Sequence, residues 1–554
     1  MMRASIGKAL IDIAAPRKRI ASPAETPAAT SSVSLTQNAT RLLYDQRERI
    51  LELPGSRVTM LRLAMFESAE LGHATSKEDY KEYEEAFRVG LLTVQYDLRE
   101  AASFPVILVI GGADRAGCHE VLNLLHEWMD PRYLEANVFE SPTSEELERP
   151  RFWRYWRTLP AAGRIGLYYR EWTFHAIADR LLGHIDEAEL GARLRHIETF
   201  EKALTDDGAL LLKFWLHIPK SEAKKRLRGK GVTSRVAFKA TKQDRLMVER
   251  FDDVNQIAER VLRQTSTGDA LWNVIEGTDF RYRNVTIAQG IIRSLTKRLA
   301  EPPKKNLAPP VSRENTITVL DQIDVSKTIN KPDYETRLQK GWRRLAKLSH
   351  KVHRKGISSV FVFEGWDAAG KGGVIRRLTA AMDAGHYRVI PIGTPTDEEL
   401  AHHYLWRFWR NLPRAGHAAI FDRSWYGRVL VERLEGFAAE NEWKRAYAEI
   451  NDFEEQIVQQ GSVVLKFWLH IDAEEQLRRF KAREKVPFKK YKITPDDYRN
   501  RNRWNDYEIA ADEMVQRTST EFARWHLVAA NDKRWARVQV LETVCDAFEK
   551  RLES

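Results

Sequence analysis

A lysine set among glycines is the first feature of this chain that could do chemistry. The stretch "FEGWDAAGKGG" at 363–373 follows an apolar run and precedes a helical pattern. In that context glycine lets the backbone approach a phosphate, and the helix N-terminus offers free N–H groups. Lys371 adds a full charge, although a tight turn with a solvated lysine is the structural alternative. The predicted phosphate-binding residues are Gly365, Ala368, Ala369, Gly370, Lys371, Gly372 and Gly373.

Two aspartates could hold a magnesium ion beside this loop. Gly372 stands where such loops commonly carry a Ser or Thr that helps to bind the metal, so other oxygen ligands are needed. Asp367 lies inside the loop, and Asp422 ends the apolar run "AAIFD". Because Mg²⁺ is typically held by one or two carboxylates with phosphate oxygens and water, we predict a metal site at these two residues. A helix cap and a strand-end turn are the alternatives.

An arginine completes the candidate catalytic group. Arg423 directly follows Asp422 in "AIFDRSWYGR". A guanidinium beside transferring phosphates neutralises developing charge and can bind two oxygens at once, whereas the alternative is a surface salt bridge. The candidate catalytic residues are Asp367, Lys371, Asp422 and Arg423.

The chain contains this unit twice. With an offset of 253 residues, "PTDEEL" at 395–400 falls on "PTSEEL" at 142–147, and "LKFWLHI" at 465–471 falls on the same string at 212–218. No insertion or deletion is needed from the glycine-rich loop to Asp532 and its counterpart Asp279. Such a constant offset indicates two copies of one fold.

Strand and helix patterns alternate within the second copy. Buried strand patterns begin at 358, 387, 417, 463 and 526, and apolar residues recur at helical spacing from Trp443 to Ile457. This alternation predicts a parallel sheet covered on both faces, with ligands at the carboxyl ends of its strands. The expected fold class is α/β, with two tandem domains that each contain a five-stranded parallel sheet flanked by helices.

Composition sets the expected domain limits. Residues 1–55 are predicted to be a disordered tail and lead-in, since "AAPRKRIASPAETPAATSSVS" at 14–34 is poor in large apolar residues. Four prolines in "AEPPKKNLAPPVSREN" mark a linker, which we place at 299–329. The two domains are therefore expected at 56–298 and 330–554.

A basic segment at 476–504 follows the fourth strand pattern of the second copy. A mobile lid over bound phosphates would occupy this place in the fold, although basic blocks are often solvated surface. Arg479 and Arg483 lie four residues apart and would share one face of a helix. We predict that both arginines contact phosphates.

The chain resembles the polyphosphate kinase 2 family, in the fused type with two copies. The resemblance is carried by "EGWDAAGKGG", "GTPTDEEL", "WRFWRNLP", "FDRSWYGRVLVERLEG", "LKFWLHI" and the basic lid. It implies a P-loop kinase fold and a nucleotide kinase whose donor is inorganic polyphosphate. It also implies that Lys371 and Arg423 contact phosphates, and that Asp367 and Asp422 hold Mg²⁺. Fused members are similar to the subgroup that phosphorylates nucleoside monophosphates, AMP above all.

The first copy lacks part of the predicted machinery. In register, Cys118 replaces Lys371, His119 replaces Gly372 and Tyr169 replaces Asp422, while Asp114 is kept. A loop without its lysine and short of one carboxylate should bind magnesium and phosphates poorly. We therefore predict that residues 56–298 form a degenerate, catalytically inactive domain.

Charge and composition narrow the partners. A net charge of +11 and a pI near 9.3 favour a polyanionic partner, although a solvated basic surface has the same signature. The expected partners are inorganic polyphosphate and a nucleotide, AMP or ADP, with a homo-oligomer as a further possibility. No base-reading module and no apolar run of about 18 residues is evident, so nucleic acid and membrane are not expected. Two cysteines are compatible with a cytoplasmic protein.

Three other activities stay open at this point. One is a polyphosphate-dependent kinase that converts ADP to ATP, and another is a nucleotide kinase of the same fold that uses ATP. The third is a non-enzymatic protein that binds polyanions through its basic lids, which the set Asp367, Lys371 and Asp422 disfavours.

Overall fold

Within the residues that the computed structural model of the protein describes, ten strands form two parallel sheets of five. The structure describes residues 65–112, 116–228, 242–301, 319–485 and 495–553. The predicted tail at 1–55, most of the predicted linker, Asp114 and the middle of each lid lie outside the described residues. The strands are β1 (Val106–Gly112), β2 (Leu134–Val138), β3 (Ile165–Tyr169), β4 (Leu210–His217), β5 (Trp272–Glu276), β6 (Ser359–Gly365), β7 (Tyr387–Pro391), β8 (Ala418–Asp422), β9 (Val463–His470) and β10 (Trp525–Ala529).

Helices cover the sheets and connect the strands. Several are capped by side chains that accept from the first turn, as Asn330 does for the helix that leads into the second sheet. In chain order the α-helices are α1 (Lys77–Ala101), α2 (Cys118–Trp128), α3 (Ser144–Leu147), α4 (Trp153–Trp156), α5 (Trp172–Leu182), α6 (Glu187–Asp206), α7 (Lys220–Leu227), α8 (Lys242–Glu249), α9 (Phe251–Gln264), α10 (Phe280–Ala300), α11 (Lys331–Arg354), α12 (Lys371–Thr379), α13 (Asp397–Leu400), α14 (Trp406–Trp409), α15 (Val431–Leu434), α16 (Glu440–Gln459), α17 (Ala473–Glu484), α18 (Pro495–Asn502), α19 (Trp504–Thr518) and α20 (Lys533–Glu553). None of the helices in the described ranges is long and apolar enough to cross a membrane.

Both sheets have the same strand order. The first runs β2-β3-β1-β4-β5 and the second runs β7-β8-β6-β9-β10, with every neighbouring pair parallel. The predicted fold class is confirmed, and each predicted strand of the second copy begins within one residue of its observed start. The central strands β6 and β9 are buried along nearly their whole length, because helices cover both faces of the sheet.

The order of the second sheet brings two predicted site segments together. β6 and β8 are adjacent, and the register pairs Phe363 with Asp422 at their carboxyl ends. The glycine-rich loop therefore leaves the sheet beside the turn that carries Arg423. The first sheet repeats this pairing with Ile110 and Tyr169.

The two repeats also contact each other through matching surfaces. Trp156 of α4 and Trp409 of α14 occupy equivalent positions in the two copies, and their rings stack with centroids 5.6 Å apart. The Ala162 backbone N–H donates to the Ala401 carbonyl at 2.8 Å, and Arg445 of α16 binds Asp207 at the end of α6. Because the two tryptophans are counterparts, the interface resembles that of a two-fold symmetric dimer.

A buried ion pair ties α16 to the second sheet. Nζ of Lys466 on β9 donates to Glu454 at 2.7 Å and to the Thr518 carbonyl at 2.6 Å, and neither side chain of the pair is exposed. Lys213 and Glu201 form the same pair in the first repeat. Burial lowers the pKa of Lys466, and the carboxylate of Glu454 opposes that shift. The pair is therefore a structural contact common to both copies.

Replacing Glu454 with alanine should destabilise the protein without touching the candidate site. The change leaves the Lys466 ammonium buried without its counter-charge, which typically costs about 3–5 kcal/mol. Urea denaturation of the full chain should show a lower transition midpoint. The neighbouring change Glu455→Ala, on the partly exposed side of the helix, should shift the midpoint little. An unchanged midpoint for Glu454→Ala would show that the ion pair contributes nothing to stability.

Candidate active site

The loop after β6 depends on glycine at its two ends. Gly365 has a φ of 137° and Gly370 a φ of 112°, both in the region that favours glycine. A Cβ on Gly365 would also lie 2.3 Å from the Leu469 carbonyl oxygen on β9. Helix α12 begins directly after Gly370, so its free N–H groups lie at the loop. This is the backbone arrangement that binds anions.

Lys371 lies back over the loop from the first position of α12. Its ammonium donates to the Gly365 carbonyl at 2.7 Å. Burial and the positive charge of Arg423 lower the pKa of Lys371, whereas Asp367 and Asp422 oppose that shift. An anionic ligand in the loop would favour the charged form further, so the lysine is placed to bind phosphate.

Asp367 and Arg423 form an ion pair across the loop. Nη2 of Arg423 donates to Oδ1 of Asp367 at 2.9 Å, and half of the arginine side chain is exposed. Arg423 has a φ of 65°, and its backbone N–H donates to the Phe363 carbonyl at 3.1 Å. A non-glycine residue in this conformation carries strain of about 1–3 kcal/mol. The strained turn directs the guanidinium over the loop.

Asp422 ends β8 next to the first turn of α12. A Cβ on Gly372 would lie 4.0 Å from Oδ2 of Asp422, so glycine leaves open space beside this carboxylate. Asp367 supplies a second carboxylate from the loop itself. No group of three or more His, Cys, Asp and Glu that could hold a metal occurs within the described residues. Two carboxylates beside a phosphate loop nevertheless fit Mg²⁺, which takes its other ligands from phosphate and water.

The structure places Arg479 in a role that differs from the prediction. Its guanidinium is buried, with 3% of the side chain exposed, and donates to four backbone carbonyls and to Glu475. Those carbonyls belong to Ala368 and Ala369 in the loop, and to Ala530 and Asn531 after β10. All five guanidinium N–H groups are thus used inside the protein, so the expected phosphate contact is not made here.

The first repeat makes equivalent contacts with Arg226. Its guanidinium donates to Glu222 at 2.9 Å and to the carbonyls of Gly277 and Thr278. These partners are the counterparts of Glu475, Ala530 and Asn531 at the same offset. Because the first repeat lacks the loop lysine, the contacts of this arginine with the strand end do not depend on a complete phosphate loop.

Replacing Arg479 with alanine should therefore weaken the loop itself. The change leaves four loop and strand-end carbonyls without their charged donor, at about 1–3 kcal/mol for a buried unsatisfied group. We expect a lower denaturation midpoint and loss of most catalytic activity. Arg478→Ala is the matched control, because that side chain is 69% exposed and pairs only with Glu475 among the described residues. Full activity and stability of Arg479→Ala would contradict this role.

Other cations lie on the α20 side of the loop. Arg483 is half-buried on α17, and a Cβ on Gly373 would lie 3.5 Å from Nη2 of Arg537. Burial and the neighbouring Arg479 lower the pKa of Lys533 to about 8, and Arg483 adds to that effect. Arg483 is thus near enough to Lys533 and Arg479 to act on them electrostatically, and its contact with phosphates stays a prediction.

Lid residues that the sequence analysis missed contact the loop from the other side. Nδ2 of Asn500 on α18 donates to Oδ2 of Asp367 at 3.4 Å, and Gln476 donates to the Asp367 carbonyl at 3.2 Å. Trp504 of α19 stacks on Trp366 of the loop with centroids 3.6 Å apart. A comparison of the two copies could have indicated two of these residues, because the first copy has Met247 in place of Asn500 and Ala223 in place of Gln476.

Aromatic side chains fill the corresponding place in the first repeat. The rings of His119 and Tyr169 meet edge to face with centroids 4.7 Å apart. Tyr169 is 9% exposed, and Cys118 is buried at the start of α2. Arg170, the counterpart of Arg423, pairs with Asp244 at 2.7 Å. Where the second repeat has a carboxylate and open space, the first has packed rings.

The family model described as Polyphosphate kinase 2 matches the sequence twice, over residues 74–303 and 328–554. The chain belongs to the polyphosphate kinase 2 family. It is 48% identical over 489 residues to a polyphosphate:AMP phosphotransferase from Pseudomonas aeruginosa. The aligned residues cover 88% of this chain and 99% of that protein. A polyphosphate:AMP phosphotransferase from Pseudomonas syringae pv. tomato is 47% identical over 490 residues, or 88% of this chain and 98% of that protein.

A further relative, matched over one repeat's length, and a solved structure agree with this family assignment. The ADP-polyphosphate phosphotransferase 3 of Rhizobium meliloti is 39% identical over 225 residues, which cover 41% of this chain and 79% of that protein. A crystal structure of polyphosphate kinase 2 from Pseudomonas aeruginosa PA01 superposes with a TM-score of 0.80 at 46% identity, over 88% of this chain and all of that one. The family fold thus extends over both repeats.

Proposed function

We propose that this protein catalyses Mg²⁺-dependent transfer of a phosphoryl group from inorganic polyphosphate to a nucleoside monophosphate, with AMP as the acceptor. The arrangement of Lys371, Asp367, Arg423 and Asp422 around one glycine-rich loop carries this proposal. Relatives that match the chain over nearly their whole length are named polyphosphate:AMP phosphotransferases, which supports polyphosphate as donor and AMP as acceptor.

The transfer needs positioning and charge neutralisation more than covalent help from the protein. A phosphate oxygen of AMP attacks the terminal phosphorus of the chain, and the bond from that phosphorus to its bridging oxygen breaks. ADP and a polyphosphate shorter by one unit result. Lys371 and the N–H groups of α12 hold the donor phosphates, and Arg423 neutralises charge on the transferring group.

Asp367 and Asp422 are the residues that would hold Mg²⁺. When bound, the ion neutralises the phosphate oxygens and orients them. Asp367 also accepts from Arg423, which fixes its carboxylate at the mouth of the loop. The basic lid closes over the substrates and excludes water, which would otherwise compete with AMP as acceptor.

The first repeat is inactive in this proposal. The packed rings of His119 and Tyr169, with Cys118 at the lysine position, support that conclusion. We place the inactive domain at 56–298, the linker at 299–329 and the catalytic domain at 330–554. The first repeat then serves as the partner that a two-fold dimer would supply, through the stacked pair Trp156 and Trp409.

A donor and acceptor assay tests the activity. Purified full-length protein is mixed with Mg²⁺ and AMP, with either polyphosphate or ATP as donor, and the nucleotides are separated by ion exchange. We expect ADP to form from AMP with polyphosphate, and chelation of Mg²⁺ to stop the reaction. Turnover with ATP alone, or binding of polyphosphate without any transfer, would overturn the proposal. A clear preference for ADP over AMP would show that ADP, not AMP, is the substrate that receives the phosphoryl group.

A further inference from the structure

One hydrogen-bond acceptor in the cleft has no partner within the described part of the chain. Oδ1 of Asn500 is buried, and no described donor reaches it. Buried polar atoms are nearly always hydrogen-bonded, because an unmade bond there costs about 1–3 kcal/mol. An unpaired acceptor at the edge of a ligand cleft therefore indicates a donor on the ligand.

The carboxamide of Asn500 has a fixed orientation. Its Nδ2 lies 3.4 Å from Oδ2 of Asp367 and donates to that oxygen. Turning the amide over would bring two oxygens together, so the nitrogen faces Asp367 and Oδ1 faces away from it. The cleft thus presents a carbonyl-type acceptor, not a donor, at this position.

The two substrates of the proposed reaction differ in what they can offer this acceptor. An ionised phosphate chain carries oxygen acceptors only. A nucleoside monophosphate carries ribose hydroxyls and, in AMP, an amino group on the base, all of which donate. We propose that Asn500 binds the nucleoside of the substrate that receives the phosphoryl group. Its Oδ1 accepts a hydrogen bond from an O–H or N–H of that nucleoside, and this proposal rests on the proposed function.

The walls of the cleft near Asn500 suit a nucleoside. Trp366, Leu430, Val431, Trp504 and Tyr507 line it together with the polar groups of the loop. Trp366 and Trp504 stack on each other with centroids 3.6 Å apart, so a base would pack against the edge of this aromatic pair.

The first repeat supports the assignment by its difference. Met247, the counterpart of Asn500, is buried with 6% exposed and carries only a thioether sulfur, which is a weak hydrogen-bond acceptor. Phe251 stands at the position of Trp504, and Ala223 at that of Gln476. The contacts of Asn500 and Gln476 with Asp367 thus belong to the repeat that has the loop lysine, and the proposal puts the nucleoside on the Asn500 side. The phosphate chain then runs toward Arg483 and Arg537.

Kinetics with nucleotide analogues test the proposal. KM for the acceptor and kcat are measured at saturating polyphosphate for the wild-type protein and for Asn500→Ala and Asn500→Met. The acceptors are AMP, 2′-deoxy-AMP, 3′-deoxy-AMP and purine riboside 5′-monophosphate, each of which lacks one donor of AMP. Asn502→Ala is the control, because Asn502 is exposed at the end of the same helix. Denaturation midpoints check that the variants fold.

We expect both Asn500 variants to raise KM for AMP about tenfold, with a smaller change in kcat. With the wild-type protein, one analogue should have a KM about tenfold higher than that of AMP. The KM of this analogue should be the same for Asn500→Ala as for the wild-type protein. If no analogue differs from AMP with the wild-type protein, or if each still differs as much in the variant, the proposal is wrong. A raised Mg²⁺ requirement with unchanged KM for AMP would also overturn it. Failure of the wild-type protein to phosphorylate AMP at all would instead refute the proposed function.

Discussion

Replacing Lys371 with alanine should reduce phosphoryl transfer by roughly 10³-fold, since one preorganised charge on a transferring group contributes about that much. The ammonium lies inside the loop, 2.7 Å from the Gly365 carbonyl, at the first position of α12. The loss should appear mainly in kcat, because the charge matters most as the transferring group develops its transition state. Initial rates of ADP formation measure it.

Two controls separate this effect from general damage. Lys347→Ala removes an exposed lysine from α11 and should leave the rate near that of the wild-type protein. Cys118→Ala changes the counterpart of Lys371 in the first repeat and should also leave the rate unchanged. Comparable losses for Lys371→Ala and Cys118→Ala would mean that both repeats are active.

Replacing Asp422 with asparagine should lower the rate by at least about a hundredfold and raise the Mg²⁺ concentration needed for half-maximal activity. The change keeps the shape of the side chain at the end of β8 but removes the charge that attracts the ion. Rates measured against Mg²⁺ concentration test both parts. The structure at Gly372 has room for an ion beside this carboxylate, so excess Mg²⁺ should recover part of the activity.

The matched change in the first repeat is Tyr169→Phe, which keeps the packed ring against His119. It should alter neither the rate nor the Mg²⁺ requirement. A wild-type Mg²⁺ curve for Asp422→Asn would show that this carboxylate does not hold the metal, and the metal site would then have to be sought elsewhere.

Much of the fold could be predicted because buried parallel strands have a plain sequence signature. The runs that became β6 and β9 are continuous and apolar, and the second copy of each run removes doubt about its limits. The loop residues and Asp422 could be placed near each other for the same reason, since carboxyl ends of adjacent strands meet at one edge of a sheet.

The lid could not be predicted at the same level. Sequence shows that Arg479 and Arg483 share a helix face, but it does not show that Arg479 is buried beneath loop carbonyls while Arg483 stays near the surface. That difference depends on how α17 packs against the strand ends. Asn500 was missed because one neutral amide in a basic segment has no charge signature, and its difference from Met247 gains meaning only with the contact to Asp367.

A crystal structure of the full chain with AMP, Mg²⁺ and a short polyphosphate tests the central claim most directly. The expected result is that metal and phosphates lie between Lys371 and Asp422, with the nucleoside against Asn500, and that nothing binds beside Cys118 and Tyr169. Substrates found in the first repeat, with the loop at Lys371 empty, would contradict it.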